Sequence, residues 1–203
     1  MSTQLFINAH IATGMPGSTA AETAAIQDIL VEDGKFISIA PHLKATLEAQ
    51  GKDMASVEVV DLGGKLVCPP FCDTHLHLDY VFTARKPGAV NESGTLFEGI
   101  QRWSETKADL TVDEIKERAK IGIAKEMRHG VQFIRSHADV TDPNLTSLKA
   151  LLELKEELKD TVTLQIVSFP QEGMYSYEGP HGESGADLVE EGLKMGADCV
   201  GRS

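Results

Sequence analysis

Two histidines one residue apart are the part of this sequence best suited to chemistry. His75 and His77 lie within Asp73–Asp79, directly after the apolar segment Leu66–Phe71. Successive side chains of an extended strand point to opposite faces, so these two imidazoles project the same way and could hold one metal ion together. Their place at the end of a predicted buried strand favours a metal site over two hydrogen-bonded strand-end histidines. The first hypothesis is therefore a metal-dependent hydrolase.

A second polar group follows further along the chain. Arg135, His137 and Asp139 alternate along the predicted strand Val131–Val140 and therefore share one face. His137 and Asp139, near the end of that strand, could support the metal site from behind or help to place a substrate. A hydrogen-bonded polar cluster at a strand end fits equally well. Asp79 has the same two interpretations, since it could orient a ligand histidine or cap the turn.

The elements that must position these residues change character at Lys65. Before it, short β-rich segments bounded by turn residues predict a small sheet with one short helix lying on it. The strands are predicted over Leu5–Ile11, Ile29–Val31, Phe36–Ile39 and Val57–Val60, and the helix over Pro41–Gly51.

From Lys65 onward, predicted strands alternate with predicted helices, which is the pattern of a parallel sheet covered by helices. Thr111 and Glu114 form a potential capping box at the start of the first of these helices. The predicted order is strand Leu66–Thr74, helix Leu110–His129, strand Val131–Val140, helix Leu145–Leu158, strand Thr161–Phe169, helix Leu188–Met195 and a strand over Ala197–Gly201.

Composition limits the possible partners. The chain has 203 residues, 41% of them hydrophobic and 25% charged, which is ordinary for a globular protein. A net charge of −12 without a basic run argues against nucleic-acid binding. No apolar run approaches the roughly 20 residues that cross a bilayer. Three cysteines and a beginning without signal-peptide features predict a cytoplasmic protein with no membrane partner.

Five short motifs follow one another between Leu66 and Gly201. They are Pro69–Phe71, His75–Asp79, Ser93–Ile100, Phe169–Gly173 and Gly196–Asp198. In this order they resemble the successive motifs of the bacterial cytosine deaminases of the amidohydrolase superfamily. The resemblance covers nearly all of the chain beyond the N-terminal sheet.

The resemblance implies an α/β fold in two parts. Residues 1–64 would form part of a small N-terminal β-sandwich, and residues 65–203 would form the first half of an incomplete (β/α)8 TIM-type barrel, about strands 1 to 4. It also implies one Fe²⁺ or Zn²⁺ ion that activates water for attack on a ring carbon, with release of ammonia. The choice between the two metals stays open, because both accept imidazole and carboxylate ligands.

The resemblance assigns roles to four residues. His75 and His77 match the two metal ligands of the first barrel strand, Gln171 matches a glutamine that hydrogen-bonds the pyrimidine amide edge, and Leu96 matches a residue that lines the substrate pocket. The alternative for Gln171 is a loop residue that hydrogen-bonds backbone groups. The alternative for Leu96 is an apolar side chain that anchors a loop. The implied substrate is a small aminopyrimidine, with cytosine, isocytosine, creatinine and triazines all open.

The resemblance also implies residues that this sequence does not contain. The third metal histidine, the proton-shuttling glutamate, another histidine and an aspartate would come from later barrel strands. The catalytic acid and base are therefore expected outside the sequence, the chain is expected to be truncated and inactive, and the parent enzyme is expected to be a homo-oligomer. The alternative is a non-catalytic interaction module that associates through its open sheet edge. A redox role for Cys68 and Cys72 is weaker, because two prolines interrupt their Cys-x₃-Cys spacing.

Overall fold

The computed structural model describes residues 2–11 and 25–201. They fall into two compact units, which divide in sequence between Pro69 and Pro70. No helix in these residues has both the length and the apolar composition needed to cross a bilayer.

The first unit contains one five-stranded sheet with a helix, as predicted. The strands follow the order β3-β2-β1-β4, and β5 also pairs with β1. Asp33 and Gly34 both have positive φ between β2 and β3, which suits a tight hairpin turn. The elements are β1 (Thr3–Ile11), β2 (Ile26–Glu32), β3 (Lys35–Ala40), α1 (Leu43–Ala49), β4 (Val57–Asp61) and β5 (Leu66–Val67). The described residues of this unit form no second sheet, so the sandwich stays a prediction.

The second unit is a parallel sheet with helices packed on it. Its four strands lie in chain order, β6-β7-β8-β9, and all neighbours are parallel. The elements are β6 (Phe71–Leu76), α2 (Leu96–Lys107), α3 (Val112–Arg128), β7 (Val131–Asp139), α4 (Thr146–Glu157), β8 (Thr163–Phe169), α5 (Gly185–Met195) and β9 (Cys199–Val200). This confirms the predicted mixed α/β fold and its alternation of strands and helices. Closure into a barrel stays a prediction.

One predicted strand is divided in the structure. The sequence predicts a single strand over Leu66–Thr74, but Leu66 and Val67 pair with β1 in the first sheet. The second sheet begins only at Phe71. Pro69 and Pro70 lie between the two strands and have no N–H group to continue a ladder of hydrogen bonds. The division between the two compact units follows at this point, later than the boundary predicted at residue 64.

The structure also contains a helix that the sequence does not predict. Helix α2 lies in the connection between β6 and α3, where the side chain of Thr95 caps its N-terminus by accepting from the N–H of Glu98. Helix α3 begins with the predicted capping box of Thr111 and Glu114. The order β6-α2-α3-β7 therefore places two helices between the first two parallel strands.

Candidate functional site

Three histidines from the ends of two neighbouring strands come together. His75 is in β6, His77 follows one residue after it, and His137 lies in β7, whose Ser136 pairs with Leu76. One potential ligand atom from each histidine lies within 4.8 Å of the other two. The sequence leaves open whether His137 supports the metal site, helps to place a substrate or belongs to a hydrogen-bonded polar cluster. The structure puts its ring 4.1 Å from that of His75, centroid to centroid.

The electrostatic environment keeps two of these imidazoles neutral. Burial lowers the pKa of His77 to about 4, and the nearby rings of His137 and His75 act in the same direction. Burial likewise lowers the pKa of His137. The buried Nδ1 atoms of His77 and His137 have no hydrogen-bond partner among the described residues. Because a metal binds the neutral form of imidazole, the chemistry of this donor set fits a divalent transition-metal ion.

Asp79 connects the segment after His77 to β7. Its fully buried carboxylate accepts hydrogen bonds from the backbone N–H of Asp139, at 2.9 Å, and of Tyr80, at 3.1 Å. Burial raises the pKa of Asp79 to about 7. Arg118 of α3 adds hydrogen bonds to the carbonyl oxygens of Asp79 and Val81. Among the described residues, the Asp79 carboxylate therefore contacts backbone rather than an imidazole, in line with the turn-capping alternative.

Asp139 is the centre of a buried hydrogen-bond network. Its Oδ2 accepts from the indole N–H of Trp103 at 2.7 Å and from Nζ of Lys107 at 3.0 Å. Its Oδ1 accepts from the N–H and the hydroxyl of Thr141 at 2.8 and 2.6 Å, and from the N–H of Gln171 at 3.3 Å. The network thus joins α2 to the end of β7 and to the loop that carries Gln171.

Trp103 and Lys107 belong to the site region, but the sequence does not identify them as functional. Both lie on the helix that the sequence does not predict, and their shared partner Asp139 is more than 30 positions away. The only signal for Trp103 is its helical spacing from Ile100 and Phe97, which also fits simple packing. For Lys107 the sequence gives no signal.

A cavity of about 1020 Å³ lies beside the histidines. Four residues that the sequence singles out line it together, namely His75, His77, Leu96 and Gln171. Apolar and aromatic side chains supply much of the remaining wall. They include Tyr80, Ile100, Trp103 and Phe169. An apolar cavity with a few convergent polar groups is typical of a small-molecule site. Asp79, His137 and Asp139 lie outside the lining.

Comparison with known proteins gives consistent matches over this region. The model of the Amidohydrolase family matches residues 58–195. An N-isopropylammelide isopropyl amidohydrolase from Pseudomonas sp. strain ADP is 30% identical over 185 residues, which are 89% of this chain and 42% of that protein. A pterin deaminase from Rhizobium rhizogenes is 28% identical over 152 residues, covering 72% of this chain and 32% of that protein.

The solved structures agree in fold. The crystal structure of 5-methylcytosine deaminase from Klebsiella pneumoniae, liganded with 5-fluorocytosine, aligns with a TM-score of 0.79 and 39% identity. The alignment covers 98% of this chain and 43% of that chain. The present chain thus spans less than half the length of each of these relatives. Since the family model covers more than half of its residues, the chain belongs to the amidohydrolase family.

Proposed function

We propose that this chain supplies the first strands, two metal ligands and part of the substrate pocket of a metal-dependent hydrolytic deaminase of cytosine-like aminopyrimidines. The observation that carries the proposal is the cavity that brings His75 and His77 together with Leu96 and Gln171. Two of the relatives are named as deaminases of nitrogen heterocycles, 5-methylcytosine deaminase and pterin deaminase. Their names support this reaction class.

The residues of the chain have separate roles in this proposal. His75 and His77 hold the divalent ion, Fe²⁺ or Zn²⁺, through neutral imidazole nitrogens. When bound, such an ion supplies a water whose pKa is near neutral, which suits replacement of a ring C–NH₂ by C=O with release of ammonia. Gln171 presents an amide that both donates and accepts, and this matches a pyrimidine edge that offers both functions. Leu96 closes one side of the pocket with an apolar surface.

The proposal assigns no general acid or base to the described residues. Asp79 and Asp139 are both buried, and their carboxylates are already occupied by donors from the backbone and from Trp103, Lys107 and Thr141. We therefore propose that groups outside this sequence move the proton, and that the chain is inactive alone. An interaction module is the second candidate function. The exposed apolar side chains of Phe71, Phe133 and Val200 on the parallel strands favour it.

The test uses the similarity to 5-methylcytosine deaminase. The chain alone, loaded with Fe²⁺ or Zn²⁺, is expected to release no ammonia from cytosine or 5-methylcytosine. A chimera in which this chain replaces the matching segment of the Klebsiella enzyme is expected to release ammonia. His77→Ala should abolish that activity, whereas Gln171→Leu should mainly raise KM, by about tenfold, because one buried hydrogen-bonding edge is left unpaired.

His181→Ala is the matched control, since His181 is exposed in a loop of the same unit and is expected to leave the activity unchanged. A chimera that folds, binds metal and still fails to deaminate any of the heterocycles would contradict the proposal. Retained activity in His77→Ala would contradict the assigned metal ligand.

A further inference from the structure

We propose that Glu172 is a positioning residue, through which helix α2 holds the neighbouring Gln171 in the cavity. This inference rests on the proposed function, in which the amide of Gln171 binds the heterocycle. It gives a role to the one carboxylate in the motif Phe169–Gly173, to which the proposed function assigns nothing. Glu172 does not itself line the cavity, so any effect on a substrate must pass through its neighbour.

Gln171 and Glu172 are the two central residues of a tight turn after β8. The N–H of Gly173 donates to the carbonyl oxygen of Pro170 at 2.9 Å, which closes the turn. Gly173 has a φ of 101°, and a Cβ atom at this position would lie 2.1 Å from Oγ of Ser176, so the turn requires glycine here. In so short a turn the backbone of one central residue restricts that of the other. An anchor on Glu172 therefore also limits Gln171.

The side chain of Glu172 is anchored on α2. Its Oε1 accepts from the hydroxyl of Ser104 at 2.8 Å and from Nζ of Lys107 at 2.5 Å. Ser104 and Lys107 are three positions apart, so they lie on the same side of the helix. The Glu172 side chain is 31% exposed, and Lys107 keeps Asp139 as a partner when Glu172 is removed. A substitution at Glu172 should therefore leave the chain folded.

Asp139 holds the backbone of Gln171 directly. Its Oδ1 accepts from the N–H of Gln171 at 3.3 Å, and its Oδ2 accepts from Nζ of Lys107 at 3.0 Å. Because Lys107 also bonds Glu172, these four residues form a closed ring of contacts, which makes the turn more rigid. Trp103, which lines the same cavity as Gln171, donates to Oδ2 of the same carboxylate at 2.7 Å. The ring therefore fixes the separation between the Trp103 side of the cavity and the Gln171 amide.

The first measurement is made on the chain itself and needs no turnover. Glu172→Ala should speed amide hydrogen exchange at Gln171 and Gly173 by about tenfold, because the turn loses both of its anchors on α2. Glu172→Gln should stay close to the unaltered chain, since its single carbonyl oxygen can accept from both donors. Glu183→Ala is the matched control, because Glu183 lies in the same connection between β8 and α5 but accepts from the N–H of His181. It should leave exchange at Gln171 and Gly173 unchanged.

The second measurement places the substitutions in the chimera with the Klebsiella enzyme and compares KM with kcat. Glu172→Ala should raise KM by about fivefold with little change in kcat. This is less than the roughly tenfold rise expected for Gln171→Leu, because a positioning residue cannot lose more than the group it positions. In the Gln171→Leu background the same substitution should change KM by less than about twofold. A merely structural role would give equal effects in both backgrounds.

Two results would overturn the inference. One is unchanged amide exchange at Gln171 and Gly173 in Glu172→Ala. The other is a KM effect of equal size with and without the Gln171 amide. The proposed function fails in a different way, as a chimera that folds and binds metal but releases no ammonia. In that case the exchange measurement alone decides whether Glu172 positions Gln171.

Discussion

At the scale of single residues, Lys107 is the cation that fixes one wall of the cavity. Its side chain is only 10% exposed, and its Nζ donates to Asp139, Thr141 and Glu172 at 3.0, 3.0 and 2.5 Å. Burial alone would lower the pKa of Lys107, but the carboxylates of Asp139 and Glu172 outweigh burial and raise it above its usual value. The C-terminal end of α2 is thereby attached to residues at the ends of β7 and β8.

We expect Lys107→Met to destabilise the chain strongly. The variant removes the cation but leaves Asp139, which is 1% exposed, without a counter-charge. Removing one partner of a buried ion pair costs about 3–5 kcal/mol, so the free energy of unfolding in urea should fall by about 3 kcal/mol. Lys120→Met is the control, because Lys120 pairs with Glu157 at the surface and such pairs contribute about 0–1 kcal/mol. Equal losses in the two variants would contradict a structural role for the buried network.

The sequence predicts individual residues only where a local rule applies. His75 and His77 follow from strand alternation, and Gln171 and Leu96 follow from ordered motifs, which is why the cavity contains residues already singled out. Lys107 follows no such rule, because Asp139 and Glu172 lie 32 and 65 positions further along the chain. Long-range partners of this kind become visible only when the fold is known.

At the scale of elements, α2 shows why one helix escapes prediction. Helix α3 has a capping box and buries Ile115, Ala119 and Ile123 on one face, so its apolar stripe is easy to recognise. Helix α2 buries only Trp103 fully, while Leu96 and Phe97 are 74% and 82% exposed. Leu96, Ile100 and Trp103 line the cavity, and of these three only Trp103 also belongs to the hydrophobic core. In a helix that forms a wall of the site, few residues are buried, so the regular spacing of apolar residues that predicts a helix is weak.

Glu98 organises the loop that leads into α2. Its carboxylate accepts from the backbone N–H of Glu92 and Ser93 at 3.1 and 2.7 Å. Hydrogen bonds from the Ser93 side chain and from the backbone of Ser93 and Glu92 lower the pKa of Glu98 to about 2. Gly94 and Thr95, which follow in this loop, line the cavity. The ionised form of Glu98 therefore holds part of the cavity rim.

We expect Glu98→Gln to speed amide hydrogen exchange at Glu92 and Ser93, because a side-chain amide keeps only one acceptor oxygen for two donors. In the unaltered chain this protection should be complete above the usual glutamate pKa of about 4.3 and should be lost as the pH falls through about 2. Glu105→Gln is the control, since within the described residues Glu105 accepts only from the side chains of Gln101 and Arg102. Identical exchange at Glu92 and Ser93 in both variants would contradict the role of Glu98.

At the scale of the whole molecule, one face of the parallel sheet is only partly covered by the described residues. Ile134, Ser136 and Ala138 of β7 are buried beneath the helices, while Phe133 and Arg135 on the opposite face are exposed. Parallel sheets are normally buried on both faces. Strand–helix alternation predicts such a sheet from the sequence, but it does not indicate what contacts the exposed part of this face. No local pattern can therefore identify it.

We expect the purified chain to self-associate through the exposed part of this face and the edge strands, because exposed apolar surface and unpaired strand edges favour association. The mass measured by light scattering should rise with concentration. Phe133→Glu should shift the chain towards monomer, since a charge on that face opposes its burial. Ile121→Glu is the control: Ile121 is similarly exposed, at 51% against 45% for Phe133, but lies on α3. A constant monomeric mass for the unaltered chain, or the same effect from both substitutions, would show that this face does not drive association.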